Sequence, residues 1–292
     1  MAERDSGAAP SRPREALPRL TPSRQRRTID GRSHTTMNTF KHAIVRKPAK
    51  SLVDGITTHP ELGKPDYELA LRQHEAYVGA LERCGLSVRV LPAQEEFPDS
   101  CFVEDVAVCT GRFALVTRPG ADTRRGEIAG VRELLAEYYD DLEEIRAPGT
   151  IEGGDVMMVG EAFYIGLSSR TNADGAAQFI AALERRGYSG RGVKMPPTLH
   201  LKTGCSYMEE GVLLVDRAFA AYPEFASFKR VDIAPEESYA ANCLRVNDYV
   251  IVPAGYPKAL AAIRAAGMRT IELDMSEYRK IDGGLSCLSL RF

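Results

Sequence analysis

One pattern recurs five times along this chain: a short strand candidate, a small polar cluster, then an apolar hairpin. The clusters centre on Asp105, Asp155, Cys205, Asn242 and Cys287, at intervals of 50, 50, 37 and 45 residues. Such spacing belongs to a supersecondary unit that cannot bury its apolar face alone and must stack on copies of itself. Beyond the first four anchors a turn follows, at Thr110 to Arg112, Gly160 to Ala162, Glu210 and Gly211, and Asn247 and Asp248, and then runs such as Phe113 to Val116 and Tyr249 to Val252. These are hairpin signals.

Ahead of each anchor stands another strand candidate: Val88 to Leu91, Glu143 to Arg146, Gly192 to Met195, Arg230 to Ile233 and Arg269 to Leu273. Helical periodicity links the units, with Tyr67, Leu71, His74, Val78 and Leu81 on one face and Ala176, Phe179, Ile180 and Leu183 on another. Each unit therefore reads as strand, strand, helix, strand. The fifth hairpin is cut where Leu288 to Phe292 ends the chain, and the opening strand Phe40 to Arg46 is its expected partner. That pairing would close a ring, cover an exposed edge and bring the five polar clusters to one axis. The alternative is an ordinary α+β domain with fortuitous spacing.

Residues 1–36 differ from the rest, with eight arginines, no lysine, four acids and four prolines. They read as a disordered arginine- and proline-rich extension, and residues 37–292 as a single catalytic domain. Met37 is an alternative start. Glu3, Asp5 and Glu15 weaken an organelle-targeting reading, and the segment lacks the apolar core of a secretory signal. Taking the extension's +4 from the formal net charge of −2 leaves −6 for the body, which argues against nucleic-acid binding and suits a site that receives cations. No stretch has the length of a membrane span. Six cysteines, at 84, 101, 109, 205, 243 and 287, stand without CxxC pairs or nearby histidines in zinc spacing. This points to a reducing, cytoplasmic setting and no metal.

Cys287 follows Asp282, Gly283, Gly284, Leu285 and Ser286, and the glycines allow another group to approach the backbone. A buried, inert thiol is the commoner fate of such a residue. His200 lies between Leu199 and Leu201; on a strand with both leucines in the core, it would face the axis. A satisfied, half-buried histidine is the alternative. Carboxylates crowd two segments, Asp99, Glu104 and Asp105, then Glu152 and Asp155, and for any one of them a solvated surface charge is the plainer reading. Arg124, Arg125 and Arg170 could pair with them or hold a carboxylate in a bidentate fork. A thiol, an imidazole and several carboxylates together suit a guanidinium substrate. Its charge calls for carboxylates, its resonance-deactivated carbon for a thiolate, and its departing amine for a proton.

Several motifs point the same way: Lys64-Pro65-Asp66-Tyr67, Phe97-Pro98-Asp99-Ser100, Phe102-Val103-Glu104-Asp105, Thr117-Arg118-Pro119-Gly120, Glu152-Gly153-Gly154-Asp155, Arg170-Thr171-Asn172, Leu199-His200-Leu201-Lys202-Thr203-Gly204, Ser238-Tyr239-Ala240-Ala241-Asn242 and Asp282-Gly283-Gly284-Leu285-Ser286-Cys287. In combination, over Phe40 to Phe292, they strongly resemble the dimethylarginine dimethylaminohydrolases of the guanidine-modifying pentein superfamily. The resemblance implies a five-bladed α/β propeller of ββαβ units with pseudo-fivefold symmetry and a site at its centre. It implies Cys287 as nucleophile, His200 as proton donor and Glu152 as the group orienting or charging the histidine. Asp99, Glu104 and Asp105 would surround the substrate's cationic end and α-amino group, Arg124 and Arg170 would grip its carboxylate, and Ile56 and Ile281 would be lid and contact positions. The implied reaction releases citrulline from methylated arginine with no cofactor, in a monomer or homodimer that binds neither nucleic acid nor membrane. Arginine deiminase, amidinotransferase and a non-catalytic arginine-binding protein are the rival readings.

Overall fold

The computed structural model describes residues 39–292; the 1–36 extension and Met37 lie outside the described residues. Among the described residues, the strands form five three-stranded sheets. The elements in chain order are β1 (His42–Arg46), α1 (Tyr67–Arg83) and β2 (Ser87–Leu91); β3 (Ala107–Cys109), β4 (Ala114–Val116), α2 (Val131–Leu135) and β5 (Leu142–Glu144); β6 (Val156–Val159), β7 (Ala162–Leu167), α3 (Ala173–Glu184) and β8 (Ser189–Lys194); α4 (Leu201–Gly204), β9 (Cys205–Tyr207), β10 (Val212–Val215) and β11 (Lys229–Asp232); β12 (Leu244–Val246), β13 (Tyr249–Pro253), α5 (Pro257–Ala265) and β14 (Arg269–Leu273); then α6 (Ser276–Arg279) and β15 (Leu290–Arg291). In every sheet the middle strand is antiparallel to one neighbour and parallel to the other, as with β4 between β3 and β5. This is a five-bladed α/β propeller of ββαβ units.

Strand β1 and the carboxyl-terminal β15 share a blade, as the cut fifth hairpin leads one to expect. Strand β1 pairs antiparallel with β15, Ala43 opposite Arg291 and Ile44 opposite Leu290, and parallel with β2. The amides of Lys41 and His42 add bonds to Phe292 O, at 2.8 and 2.7 Å.

The middle strands are buried on both faces, and successive residues belong to different clusters because side chains alternate across a strand. Ala43 and Val45 pack with Leu244 and Ile251, while Ile44 packs with Val106 and Val116. Phe163 and Ile165 pack with Val108 and Leu115, while Tyr164 packs with Leu213 and Cys205. Val212 and Leu214 join Val250 and Val252 in a fifth cluster. Each apolar cluster is thus a seam between adjacent blades, and the five seams run right round the ring.

Two local expectations shift. The fourth blade has no α-helix between β10 and β11; the crossover carries a short 3-10 turn, Pro223–Phe225, packed through fully buried Phe219 and Phe225. This accounts for the short 37-residue interval. Helix α1 is capped by Asp66, whose side chain accepts from Leu69 N at 2.8 Å. Its buried face, however, runs through Ala70, His74, Tyr77 and Leu81, rotated toward Tyr77 because that phenol bonds under the last turn of the chain, at Leu285 O. Among the described residues no helix is long and apolar enough to cross a membrane.

Candidate active site

Each blade is entered through a short helical turn: Val103–Val106 before β3, Gly153–Asp155 before β6, α4 before β9, Pro235–Ala241 before β12 and Ser286–Leu288 before β15. Asp105, Asp155 and Cys287 lie in these turns, and Cys205 and Asn242 stand at the residue just after theirs; the geometry of the turns decides what faces what. A 3-10 turn has about three residues per revolution, so consecutive side chains point about 120° apart. One neighbour of a pair can face a cavity while the other is turned away.

Eight of the ten residues singled out above line one cavity of ≈ 360 Å³: Ile56, Asp99, Asp105, Arg124, Arg170, His200, Ile281 and Cys287. Four lining residues escaped the sequence reading, Phe102, Leu199, Asp282 and Gly283. Leu199 and Asp282 adjoin His200 and Ile281, and Phe102 and Gly283 stand two positions from Glu104 and Ile281; that closeness is the available signal. Leu199 differs from its expected place. His200 is not within a strand but caps α4, so Leu201 enters the core while Leu199 turns to the cavity.

Glu152 is fully buried behind the histidine, its Oε2 2.7 Å from His200 Nε2. Its Oε1 accepts from the amides of Gly120 and Ala121, at 3.0 and 3.2 Å, and lies 3.5 Å from Arg170 Nη1. A side chain at Gly154 would put Cβ 2.6 Å from His200 Nδ1, so glycine is required for the ring to lie there. Burial alone would push the imidazole down. The charge of Asp105, the hydrogen bond donated to Glu152 and the charge of Asp155 outweigh it and raise His200 from 6.5 to about 9. Burial likewise opposes ionisation of Glu152, but the bond to and charge of His200 hold it at about 2. The pair rests as imidazolium and carboxylate.

Cys287 is half-buried. Burial, followed by the nearby Glu104 and Asp105 carboxylates, pushes its thiol up to about 12. The site therefore holds a neutral thiol beside an imidazolium and acidic walls, an arrangement that favours an incoming cation.

Asp105 accepts from Gly154 N at 2.9 Å and from Arg124 Nη1 at 2.6 Å. Arg124 also donates from Nε and Nη2 to buried Glu127, at 3.0 and 2.8 Å, and from Nη2 to Phe102 O at 3.1 Å. Although it lines the cavity, its guanidinium is the strut that holds Asp105. Glu127, which the sequence reading passed over, anchors that strut. Arg170 has a looser hold in the same wall. Above, Ile56 N donates to Asp99 Oδ1 at 3.1 Å, and Thr58 donates from its amide and hydroxyl to Asp282, at 2.7 and 3.0 Å. The loop bearing Ile56 is thus fastened to both carboxylates.

Glu104 is the named residue that faces elsewhere. It precedes Asp105 on a 3-10 turn and points into a second cavity, where its Oε1 pairs with Lys202 Nζ at 2.6 Å and Arg291 Nη2 at 3.2 Å. Asp155 and Cys205 are structural: Asp155 accepts from Ser168 Oγ, Thr171 Oγ1 and Leu201 N, and the Cys205 thiol donates to Leu201 O at 3.2 Å. Asp105, Glu152 and His200 place donor atoms within 4.8 Å of one another, yet these atoms already bond each other, Arg124 and backbone amides.

Five blades round one axis, with a thiol and an imidazole–carboxylate pair at a shared cavity, define a pentein. The family model for eukaryotic N,N dimethylarginine dimethylhydrolase matches residues 63–198. The dimethylarginine dimethylaminohydrolase of Pseudomonas aeruginosa is 56% identical over 254 residues, covering 87% of this chain and all of that protein. That of Streptomyces coelicolor is 37% identical, covering 86% of this chain and 96% of its own. A crystal structure of a Pseudomonas aeruginosa cysteine-to-serine variant complexed with citrulline superposes with a TM-score of 0.86 at 55% identity, covering 87% of this chain and 100% of the other. The chain belongs to the dimethylarginine dimethylaminohydrolase family.

Proposed function

We propose that this chain hydrolyses Nω-methylated arginines, asymmetric dimethylarginine and monomethylarginine, to citrulline and dimethylamine or methylamine. The observation that carries the reading is the buried His200–Glu152 pair, at 2.7 Å, on the cavity that also holds Cys287, Asp99 and Asp105. Family membership supports it.

Asp99 and Asp105 attract the cationic end of the substrate, Arg170 takes its carboxylate, and Ile56, Ile281, Phe102 and Leu199 supply apolar walls. A cation beside a thiol favours thiolate, so the Cys287 proton passes to bulk water as the carbon–sulfur bond forms. Sulfur attacks the guanidinium carbon to give a tetrahedral adduct. Glu152 holds Nε2 of the imidazolium, so the Nδ1 proton is the one available, and it passes to the departing amine as the C–N bond breaks. The remaining thiouronium is attacked by water, which gives a proton to the now neutral His200. Collapse expels the thiolate and releases citrulline. Side chains supply every step, and no cofactor is invoked.

The enzyme is cytoplasmic on this reading, in keeping with six free thiols, with one catalytic domain over residues 37–292 acting as monomer or homodimer on a small molecule rather than on nucleic acid. The test is product analysis with dimethylarginine, monomethylarginine and arginine, alongside Cys287→Ser. Citrulline with the matching methylamine, abolished in the variant, is expected. Arginine turning over fastest with ammonia release would replace the reading by a deiminase, and binding without citrulline by a non-catalytic protein.

A further inference from the structure

Three residues that face the catalytic cavity have a close chain neighbour that faces away. Asp105 follows Glu104, Cys287 follows Ser286, and His200 precedes Lys202 by two positions. Glu104, Ser286 and Lys202 line a second cavity of ≈ 950 Å³, which shares no lining residue with the first.

These rear-facing groups are bonded to one another. Ser286 Oγ donates to Glu104 Oε2 at 2.8 Å, and Lys202 Nζ donates to Glu104 Oε1 at 2.6 Å. Asn242 grips Ser286 from a third entry turn: its Oδ1 accepts from Ser286 N at 3.0 Å, and its Nδ2 donates to Ser286 Oγ at 3.3 Å. Gly284 permits this approach, since a Cβ there would lie 2.6 Å from Asn242 Cγ. The same turn is held by phenols on either side, Tyr77 donating to Leu285 O at 2.9 Å and Tyr239 to Gly283 O at 2.8 Å. Glu104, Ser286 and Asn242 are 4%, 3% and 7% exposed, so solvent screens the contacts weakly.

We propose that the Ser286–Glu104–Lys202 network is the bracket that fixes the distance between nucleophile and proton donor, which makes Ser286 and Lys202 positioning residues for Cys287 and His200. One carboxylate receives a charge-assisted bond from the turn bearing the histidine and another bond from the turn bearing the thiol. Those turns are 84 residues apart in sequence, from Lys202 to Ser286, and belong to different blades. Stability gives little reason for such an arrangement, because a buried ion pair is often no more stabilising than apolar packing of equal volume. Spacing does give one, since the reacting groups must be held to within a fraction of an ångström.

The inference rests on the roles proposed above for Cys287 and His200. Ser286→Ala removes the hydroxyl link, and Lys202→Met cuts the other arm while keeping an unbranched side chain. With dimethylarginine, each is expected to lower kcat about 10- to 100-fold while KM changes by less than about threefold. Lys202→Met should also move the pH dependence of Cys287 alkylation by iodoacetamide to higher pH, because the lysine charge that favours thiolate is lost and Arg291 alone then offsets Glu104. A structural role alone would lower the melting temperature and leave kcat and the alkylation profile in place. If Ser286→Ala fails to fold, Lys202→Met decides alone. A kcat within twofold of wild type, or a loss confined to KM, overturns the bracket. Activity surviving in Cys287→Ser, measured in parallel, would instead overturn the nucleophile assignment.

Discussion

Glu152→Gln separates the electrostatic work of the buried carboxylate from its size. In the native site the carboxylate accepts from imidazolium Nε2 at 2.7 Å, and against the cost of burial His200 stands at about 9 rather than 6.5. That rise amounts to about 3 kcal/mol in favour of the charged ring, at about 1.4 kcal/mol per tenfold. With its one oxygen kept as the acceptor for Gly120 and Ala121, the amide presents an N–H to the ring. With one charge and one charge-assisted bond gone, His200 should return toward its ordinary value near 6.5. At pH 8 the imidazolium fraction then falls from roughly 90% to roughly 3%, a loss of about 30-fold; at pH 6 the loss is less than about twofold.

The kcat/KM–pH profile tests this, because its basic limb reports the essential acid of the free enzyme. The variant should lose far more at pH 8 than at pH 6, over any constant loss from misorientation. A variant-to-wild-type ratio equal at both pH values would refute the electrostatic reasoning. Stability carries the same signature. His200 has a raised folded value, so its contribution is complete below pH 6.5 and is lost as pH rises through about 9. Glu152 has a depressed one, so its contribution is present above pH 4.5 and is lost as pH falls through about 2. The wild-type advantage in a denaturant melt should therefore be widest between those two windows.

Two further outcomes are expected. Arg170→Ala should raise KM about 10- to 100-fold, the equivalent of one or two lost charge-assisted bonds, with Arg170→Lys intermediate because ammonium cannot form the fork; a KM unchanged in both would move the carboxylate grip elsewhere. His74 is 3% exposed and pushed down to about 4 by burial, so it resists protonation that the unfolded chain accepts, and native stability should fall by about 3 kcal/mol as pH drops from 6.5 through 4. Urea melts of His74→Phe should show a shallower acid slope than wild type, and parallel slopes would contradict this.

The repeat was legible because turn chemistry punctuates it. Asn247 takes positive φ at its hairpin, 50°, and Gly160 and Gly211 do so at theirs, 58° and 74°. Less legible was which way each anchor faces. The middle strands read as uniform apolar runs, since both faces are buried between blades, so they carry no alternation from which to orient a neighbouring turn. The turns themselves are too short for a helical period to show. Nothing in the sequence therefore separates Asp105 and Cys287, which line the cavity, from Glu104, which lines another, or shows that His200 caps a helical turn and not a strand. Glu127 stands only three residues after Arg124, and its role lies in an i,i+3 bond within the 3-10 turn Asp122–Ile128, a turn too short for its periodicity to show in the sequence.

The resting state bears on how the thiol is activated. With Cys287 at about 12 and His200 at about 9, the imidazolium loses its proton before the thiol does, so His200 cannot serve as the base that makes thiolate in the free enzyme at neutral pH. Bringing the thiol to near 7.4 requires about 6 kcal/mol. One guanidinium at about 4 Å supplies about 4 kcal/mol at an effective dielectric near 20, most of what is needed but not all, so proton loss should accompany carbon–sulfur bond formation rather than precede it. An inert cationic amidine bound beside Cys287 mimics the charge without the chemistry. At a concentration that leaves the thiol accessible, it should move the alkylation limb of Cys287 down by two to three pH units, whereas a neutral urea of the same shape should leave it in place. Equal effects of the two, or a free-enzyme limb already below about pH 6, would show that the protein alone makes the thiolate.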